Sequence, residues 1–222
     1  MRRPAIGCQL GIIAPMISKY HIEMTRAALA PHFSERALEV IIAANIKQDA
    51  IINQFGHDEI HYDNNAIDKG DRYIIEQRGY VIATLLTPGI LSAWIAFGRL
   101  LHTAQDFYAH TNYVTMWLEQ FNETPPSATE IEPLIKELVK SPKLCSGKVY
   151  LPMDVLAIIP FLRPLALRFL PKDSHGWMNL DVPERGPKFP YAIAAATKRT
   201  EYELDLLRKI LTPEMFARFT DK

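Results

Sequence analysis

The stretch GRLLHTAQDFYAHTNYV, residues 98–114, carries the strongest structural and chemical signal of the chain. It places His102, Asp106 and His110 four residues apart. In an α-helix a step of four residues turns the chain by about 400°, so side chains at this spacing share one face. These three groups therefore line one side of a predicted helix.

The rest of this helical face is apolar. It runs upstream through Leu91 and Ile95 and downstream through Ala109 and Tyr113. Such a face points into the core, where ionisable groups are costly unless they are paired or bound to a metal. One interpretation is a pair of core histidines that are hydrogen-bonded to Asp106. The register of three metal-competent groups favours a metal site instead.

Further candidate ligands lie earlier in the chain. In SERALEVIIAANIKQD, Ser34 is a predicted N-cap and an otherwise apolar stripe ends in Asn45 and Asp49. The alternative is that the helix ends near Asp49 and leaves both groups solvated. FGHDEIHYDNN then places His57 and His61 four residues apart among acidic residues, and spacing alone makes either one a candidate ligand. Imidazole and carboxylate ligands suit zinc.

These motifs together resemble a known family. LHTAQDFYAHTNYV, preceded in order by KYHIEMTRAAL, AANIKQD and HYDNN, is similar to the Het-C-like branch of the zinc-dependent phospholipase C and single-strand nuclease superfamily. The resemblance covers about residues 20 to 114, and SHGWMNLD matches only loosely. It implies an all-α multi-helix bundle of the zinc-dependent phospholipase C type. It also implies that a metal cluster in the core of this fold hydrolyses phosphodiesters.

The resemblance also implies a set of metal ligands. By position they are His21, Asp49, His61, His102, Asp106 and His110. Asp106 matches an aspartate that can bridge two metals. The implied cofactor is zinc, in one to three ions, and manganese, nickel or iron would suit the same ligands.

The chain departs from the secreted members of this superfamily in two respects. Those enzymes begin their mature chain with a tryptophan that helps to hold a metal beside the early histidine, whereas no tryptophan precedes His21. They also carry a later histidine and glutamate pair, which this chain lacks. The nearby substitutes are His175, Asp181 and Glu184, and we predict His175 as the further ligand.

Composition limits the class of substrate. The chain has 222 residues, of which 48% are hydrophobic, and its 25 basic and 25 acidic side chains leave no net charge. A neutral chain exerts little attraction on long nucleic acids, so lipids or small phosphodiesters are the favoured substrates. Two cysteines, Cys8 and Cys145, cannot form a disulfide framework.

The chain is predicted to form a single α-helical domain over residues 1–222, with residues 1–19 as an N-terminal extension. Helices are expected at about 20–30, 35–50, 72–87, 90–120, 129–140, 153–169 and 190–220. The extension loosely resembles a signal peptide, but prolines interrupt its apolar run and no clean cleavage site follows. We therefore expect a cytoplasmic protein, with a secreted or membrane-peripheral location as the alternatives.

The most hydrophobic stretch is LPMDVLAIIPFLRPLALRFL, residues 151–170. Three charges and three prolines make it a poor membrane span. One interpretation is a kinked core helix that covers the metal-bearing bundle. The other is an apolar wall or lid that grips acyl chains or rests on a bilayer, while Arg163 or Arg168 meets lipid phosphate.

The sequence thus predicts a metal-dependent phosphodiester hydrolase, most like a phospholipase C. Asp49, Asp106 and His57 are the candidate catalytic residues, and His57 or His175 can supply a proton to the leaving group. One alternative is a non-catalytic Het-C-like interaction protein with a structural metal. Another is a nuclease, for which the candidate base-stacking side chains are Tyr62, Tyr108, Tyr113 and Trp117.

Overall fold

The protein is an all-helical, multi-helix bundle. The computed structural model describes residues 15–53, 56–121, 124–159 and 161–222. Within these ranges β pairing is limited to two isolated bridges. The α-helices are α1 (Pro15–Leu29), α2 (Glu35–Ile46), α3 (Asp58–His61), α4 (Ile67–Leu85), α5 (Ile90–His110), α6 (Tyr113–Leu118), α7 (Lys136–Val139), α8 (Met153–Ile158), α9 (Arg163–Phe169), α10 (His175–Met178), α11 (Phe189–Ile210) and α12 (Pro213–Thr220).

Helix α5 is the centre of the bundle. Of its 21 residues, 15 are buried, so the helix has almost no solvent-facing side. A helix that is apolar nearly all round must be surrounded by other elements. Helices α2, α4 and α11 pack along it, and α1 packs against α2 and α11. The histidine and aspartate ladder of α5 is therefore held in the middle of the fold.

Gly98 allows α2 to approach α5 closely. A Cβ at this position would collide with the carbonyl oxygen of Ile41 and would lie 2.8 Å from the Cβ of Ala44. The backbone of α2 thus lies directly against α5, one turn before His102. This contact brings Asn45 and the residues that follow α2 to the ligand ladder.

A buried ion-pair cluster fixes α11 against α4. The carboxylate of Glu203 on α11 is fully buried and accepts hydrogen bonds from Arg199 at 2.9 Å and from Arg78 of α4 at 2.7 Å. Removal of one member of such a cluster would leave a buried charge without its partner. The cluster therefore fixes the position of α11, whose Thr200 reaches the site described below.

The helix predicted at 90–120 is two helices. It breaks after His110, where Thr111 is extended (φ −107°, ψ 168°) and forms an isolated bridge with Ser146. Ser146 is distant in sequence, so helical periodicity carries no sign of this contact. The predicted N-cap is confirmed, since the Ser34 side chain accepts a hydrogen bond from the amide of Ala37 at 3.1 Å.

The stretch 151–170 is not one kinked core helix. It forms the two short helices α8 and α9, because Pro164 fits the first turn of a helix and cannot continue one from α8. The predicted loop at 171–190 contains α10 and a short 3₁₀ turn. No helix in the described part of the chain is long and apolar enough to cross a membrane.

Residues 1–14 lie outside the described residues, and so do Cys8 and most of the predicted extension. Helix α1 begins at Pro15, within the part of the chain that was assigned to the extension. His21 therefore lies in the second turn of a helix.

We expect Gly98→Ala to destabilise the fold by at least ~1–3 kcal/mol, because the new methyl group overpacks a helix contact made by backbone atoms. Gly79→Ala is the matched control. Gly79 is an exposed position of α4, and a Cβ there meets nothing within 4 Å. That substitution should be neutral or stabilise by about 0.5–1 kcal/mol. Urea unfolding measures both, and equal midpoints would show that α2 does not depend on Gly98.

Candidate metal centre

The carboxylate of Asp106 is the point at which the site residues meet. Its Oδ1 lies 3.2 Å from Nε2 of His21. Its Oδ2 lies 2.8 Å from Nδ1 of His61 and 3.2 Å from Nε2 of His102. All four side chains are buried. Three helices, α1, α3 and α5, therefore bring three imidazoles to one carboxylate.

A second carboxylate approaches this group from the end of α2. That helix ends at Ile46 and continues as a 3₁₀ turn, Lys47–Asp49. The turn places Oδ1 of Asp49 at 3.7 Å from Nε2 of His102. Asn45 is fully buried, so the alternative in which both polar ends of this stripe are solvated is wrong.

The hydrogen bonds around Gln105 fix the orientation of the His21 ring. Thr200 donates its only hydroxyl proton to the carbonyl of Ala196 at 2.9 Å, so it must accept from Nε2 of Gln105 at 3.0 Å. The Gln105 oxygen then faces Nδ1 of His21 at 2.7 Å. Nδ1 therefore carries the proton in this contact. When the imidazole is neutral, its Nε2 lone pair points at Asp106.

The same network orients the ring of His102. Nδ2 of Asn45 donates to the oxygen of Gln105 at 3.0 Å, which leaves the Asn45 oxygen facing Nδ1 of His102 at 3.4 Å. Nδ1 of His102 therefore carries the proton in the neutral ring, and Nε2, which has none, faces Asp106 and Asp49. A carbonyl or amide partner on one ring nitrogen is typical of histidines that bind a metal through the other.

A second group of ligating side chains lies next to the first. Nδ1 of His175 is 2.7 Å from Oδ1 of Asp63, and the rings of His175 and His110 are 4.6 Å apart between centroids. Nδ1 of His110 donates to the carbonyl of His61 at 2.8 Å. Its Nε2 therefore faces Oδ1 of Asp181 at 3.0 Å. This ring has the same arrangement as His21.

In both groups the contact between an imidazole and a carboxylate requires a positive charge, either a proton on the ring or a metal ion. A neutral imidazole in these orientations would set a lone pair against a carboxylate oxygen. Burial opposes protonation of His21, but Asp106 raises its pKa to about 9. His110 is also buried, and Asp181 and Asp106 raise its pKa well above the usual value. Protons hold these contacts together in the metal-free chain, and a metal ion can take their place.

The carboxylates show the complementary effect. Burial alone would raise the pKa of Asp106, but His102 and His110 hold it well below its usual range. The pKa of Asp181 is likewise lowered by His110 in spite of burial. Both carboxylates are therefore ionised, which is the state that a metal ligand requires.

The residues fit a metal ion in three places. In each set the ligand atoms lie within 4.8 Å of one another. The sets are His21, Asp49 and His102; His61, His102 and Asp106; and Asp63, His110 and His175. Nε2 of His61 is buried with no hydrogen-bond partner among the described residues. These buried groups can hold a metal, and imidazole with carboxylate suits zinc and its first-row neighbours.

The centre is not completely closed to solvent. A cavity of about 20 Å³, lined by His21, Asp106 and Asp181 among others, gives room for about one water molecule. Three side chains of the centre are partly exposed to solvent: Asp49 by 14%, His175 by 23% and Asp181 by 11%. The site is therefore buried but not sealed.

The structure brings most of the sequence-predicted site residues together. Those that join the two groups are His21, Asp49, His61, His102, Asp106, His110 and His175. Of the pair left open by spacing, His61 is the one beside Asp106. His57 is half exposed, and its described contact is with Glu59 at 3.1 Å. Glu184 lies exposed in a 3₁₀ turn, whereas Asp181 contacts His110.

Sequence reasoning missed the side chains that support the ligands. Gln105 was not singled out, although it is a polar residue on the mostly apolar helix α5. Thr25 lies four residues after His21 and accepts from Gln105 at 3.0 Å, so its helical register was a usable signal. Thr200 carries no comparable signal, because only the packing of α11 brings it to the site.

The fold and the site define an all-helical protein with a buried histidine and aspartate centre. Residues 19–138 match the model of the VWA7 N-terminal domain family. The match spans more than half of the chain, so the chain belongs to this family. The matched residues include six of the seven predicted ligands, and His175 lies beyond them. No curated protein and no solved structure is significantly similar to the chain.

We expect Gln105→Leu to lower the affinity for zinc by about 10- to 100-fold, because the His21 ring loses its partner and Asn45, which faces His102, loses the acceptor that orients it. Thr200→Val should have a smaller effect in the same direction. Thr197→Val is the matched control, since Thr197 makes the same hydroxyl bond to a carbonyl four residues earlier, at 2.9 Å. Competition with a zinc-binding dye measures all three. Equal affinities for Thr200→Val, Gln105→Leu and the control would refute this role of Gln105.

Proposed function

We propose that the chain is a metal-dependent phosphodiester hydrolase, related to the Het-C-like branch of the zinc-dependent phospholipase C and single-strand nuclease superfamily. The observation that carries the proposal is the meeting of His21, His61 and His102 at Asp106, at 2.8 to 3.2 Å. The hydrogen bonds described above turn Nε2 of two of these rings towards the carboxylate. This arrangement supports a metal site over a set of neutral core histidines.

The first group would hold the principal metal. His61, His102 and Asp106 would be its ligands, and Asp49, whose side chain is partly exposed, lies 3.7 Å from Nε2 of His102. Bound zinc supplies Lewis-acid polarisation of a phosphoryl oxygen and lowers the pKa of a coordinated water to ~7. The protein must keep the Asp106 carboxylate ionised and Nε2 of the histidines free of a proton, and it must hold these side chains rigidly away from bulk water. Burial of His102 and Asp106 meets that requirement.

The second group would support the reaction from the neighbouring side. Asp63 holds the ring of His175 through Nδ1 at 2.7 Å, and Asp181 faces His110 at 3.0 Å. His175 has the most exposed ring of the two groups, so it is positioned to bind a second metal or to give a proton to the leaving oxygen. The contacts of His57 lie outside both groups, and the proposal assigns no step to it.

The substrate class follows from what surrounds the centre. Tyr62, Tyr108 and Tyr113 are fully buried and Trp117 is nearly so, which removes them as platforms for stacked bases. The chain carries no net positive charge to attract a nucleic acid. A small phosphodiester or a phospholipid head group is therefore the proposed substrate. The burial of these four aromatic side chains argues against the nuclease alternative, which required them to be exposed.

The test is hydrolysis by the zinc-loaded chain of bis(p-nitrophenyl) phosphate and of a short-chain phosphatidylcholine. We expect turnover of at least one of them, and a fall in kcat/KM of at least about 100-fold in Asp106→Asn, because this carboxylate contacts every imidazole of the first group. Asp68→Asn, at an exposed position of α4, is the control and should match the unmodified chain.

The same assay separates the enzyme from the non-catalytic alternative. A structural metal site has all of its positions filled by protein ligands, whereas a catalytic one keeps a position open. A chain that binds zinc tightly and turns over neither substrate would contradict the hydrolase proposal and support a structural metal. Equal activity of Asp106→Asn and Asp68→Asn would show that the catalytic centre lies elsewhere.

A further inference from the structure

Helices α8 and α9 form a small lobe with its own apolar cluster. The cluster consists of Ala157, Ala166 and Leu170, and it is separate from the main core. Partly buried side chains of the lobe and of α10, including Trp177, pack against it. The lobe therefore buries its inner face without using the outer face of α9.

The lobe is fixed to the metal centre through α10. The buried carboxylate of Asp154 accepts hydrogen bonds from the amide of Gly176 at 2.8 Å and from the amide of Tyr150 at 2.6 Å. The indole of Trp177 donates to the carbonyl of Leu167 at 2.9 Å. Gly176 and Trp177 directly follow His175 in the chain. The outer face of the lobe and His175 are thus parts of one connected unit.

The outer face of the lobe is a stripe of exposed apolar side chains. Phe161 is 81% exposed, Leu165 is 55% exposed and Phe169 is 69% exposed. Their spacing of four residues sets them in line along α9 and the turn that precedes it. Leu151 on the adjoining segment is 64% exposed. Contiguous exposed apolar groups of this kind mark an interaction surface, in contrast to single exposed residues.

The exposed charged side chains of the lobe are basic. Residues 151–172 contain one acidic side chain, Asp154, and three basic ones, Arg163, Arg168 and Lys172. The acid is buried, and the exposed Asp173 that follows this stretch is paired with Lys148 at 2.9 Å, so the exposed charge of residues 151–172 is positive. Arg168 is exposed and lies beside the apolar stripe, about 60° from Leu165 around α9. This face of the lobe is therefore complementary to a partner that has an anionic surface layer over an apolar interior.

We propose that this stripe docks the protein on the surface of an anionic lipid bilayer. Phe161, Leu165 and Phe169 enter the boundary between head groups and acyl chains, while Arg168 meets lipid phosphates. A bilayer is favoured over a protein groove because α9 has only seven residues, and the exposed Arg168 flanks the apolar side chains of its outer face, as a head-group contact requires. Since no described helix can span a membrane, this docking is peripheral.

Docking goes beyond the proposed function and does not require hydrolysis. If both proposals hold, the lobe brings phosphodiesters of the bilayer to the side of the centre where His175 is exposed. Binding to vesicles can be measured whether or not the chain hydrolyses a substrate. A failure of docking and a failure of hydrolysis are therefore distinguishable.

The experiment is co-sedimentation of the full chain with vesicles of phosphatidylcholine alone and of phosphatidylcholine mixed with phosphatidylserine. We expect the chain to bind the mixed vesicles more tightly. Phe161→Ser combined with Phe169→Ser should weaken binding by at least about tenfold, because both rings lose burial in the bilayer. Ile75→Ser combined with Leu86→Ser is the control, since these side chains are 62% and 75% exposed outside the lobe.

Arg168→Glu tests the electrostatic part of the proposal. It should weaken binding to the mixed vesicles by roughly tenfold and leave binding to pure phosphatidylcholine unchanged. Thermal unfolding checks that each variant is folded, which we expect because the substituted side chains are exposed. The proposal is overturned if the unmodified chain binds neither vesicle, or if the two-phenylalanine variant binds as the control does. Self-association that depends on Phe161 and Phe169, without vesicle binding, would overturn it in favour of a protein interface.

Discussion

The carboxylate of Asp106 is the constraint on which the rest of the structure depends. An ionised carboxylate in the interior is destabilising by several kcal/mol unless cationic or hydrogen-bonding partners compensate for its lost hydration. Here the partners are imidazoles from α1, α3 and α5, and Asp106 itself lies at the core position of the most buried helix. The surrounding helices must therefore pack with enough precision to hold three rings within hydrogen-bond distance of one group. A proton or a metal ion completes the charge balance, and the proposed chemistry uses that requirement.

Helix packing and ring orientation are linked in this fold. The missing side chain of Gly98 lets α2 lie against α5, which brings Asn45 to His102. Gln105 then connects Asn45, His21 and the threonines of α1 and α11 in one hydrogen-bond network. Nδ1 of His21 and Nδ1 of His102, which do not face Asp106, are thereby given a partner. A network of this kind restricts the tautomers of the ligands before any metal arrives, which favours binding and limits motion at the centre.

The sequence predicted the parts of this site that depend on local periodicity. The spacing of His102, Asp106 and His110 depends only on the pitch of one helix, and α5 places all three on buried positions. The stripe of α2 indicated Asp49, and spacing made His61 or His57 a candidate, but His21 and the choice of His61 followed from a resemblance, since no local rule brings separate helices together. The preference for His61 over His57, the contact of Asp63 with His175 and the support of Gln105 by Thr200 arise from tertiary packing. The break at Thr111 has the same origin, because its partner Ser146 is distant in sequence.

The most direct test of this account is elemental analysis of the full chain purified without added metal, with the number of ions per chain. The account predicts at least one tightly bound first-row ion, zinc in the first place, and a lower unfolding temperature after treatment with a chelator, because the buried carboxylates then lose their cation. A chain that is free of metal and whose unfolding temperature is unchanged by the chelator would contradict it. In that case the histidines around Asp106 would be core residues held by protons alone.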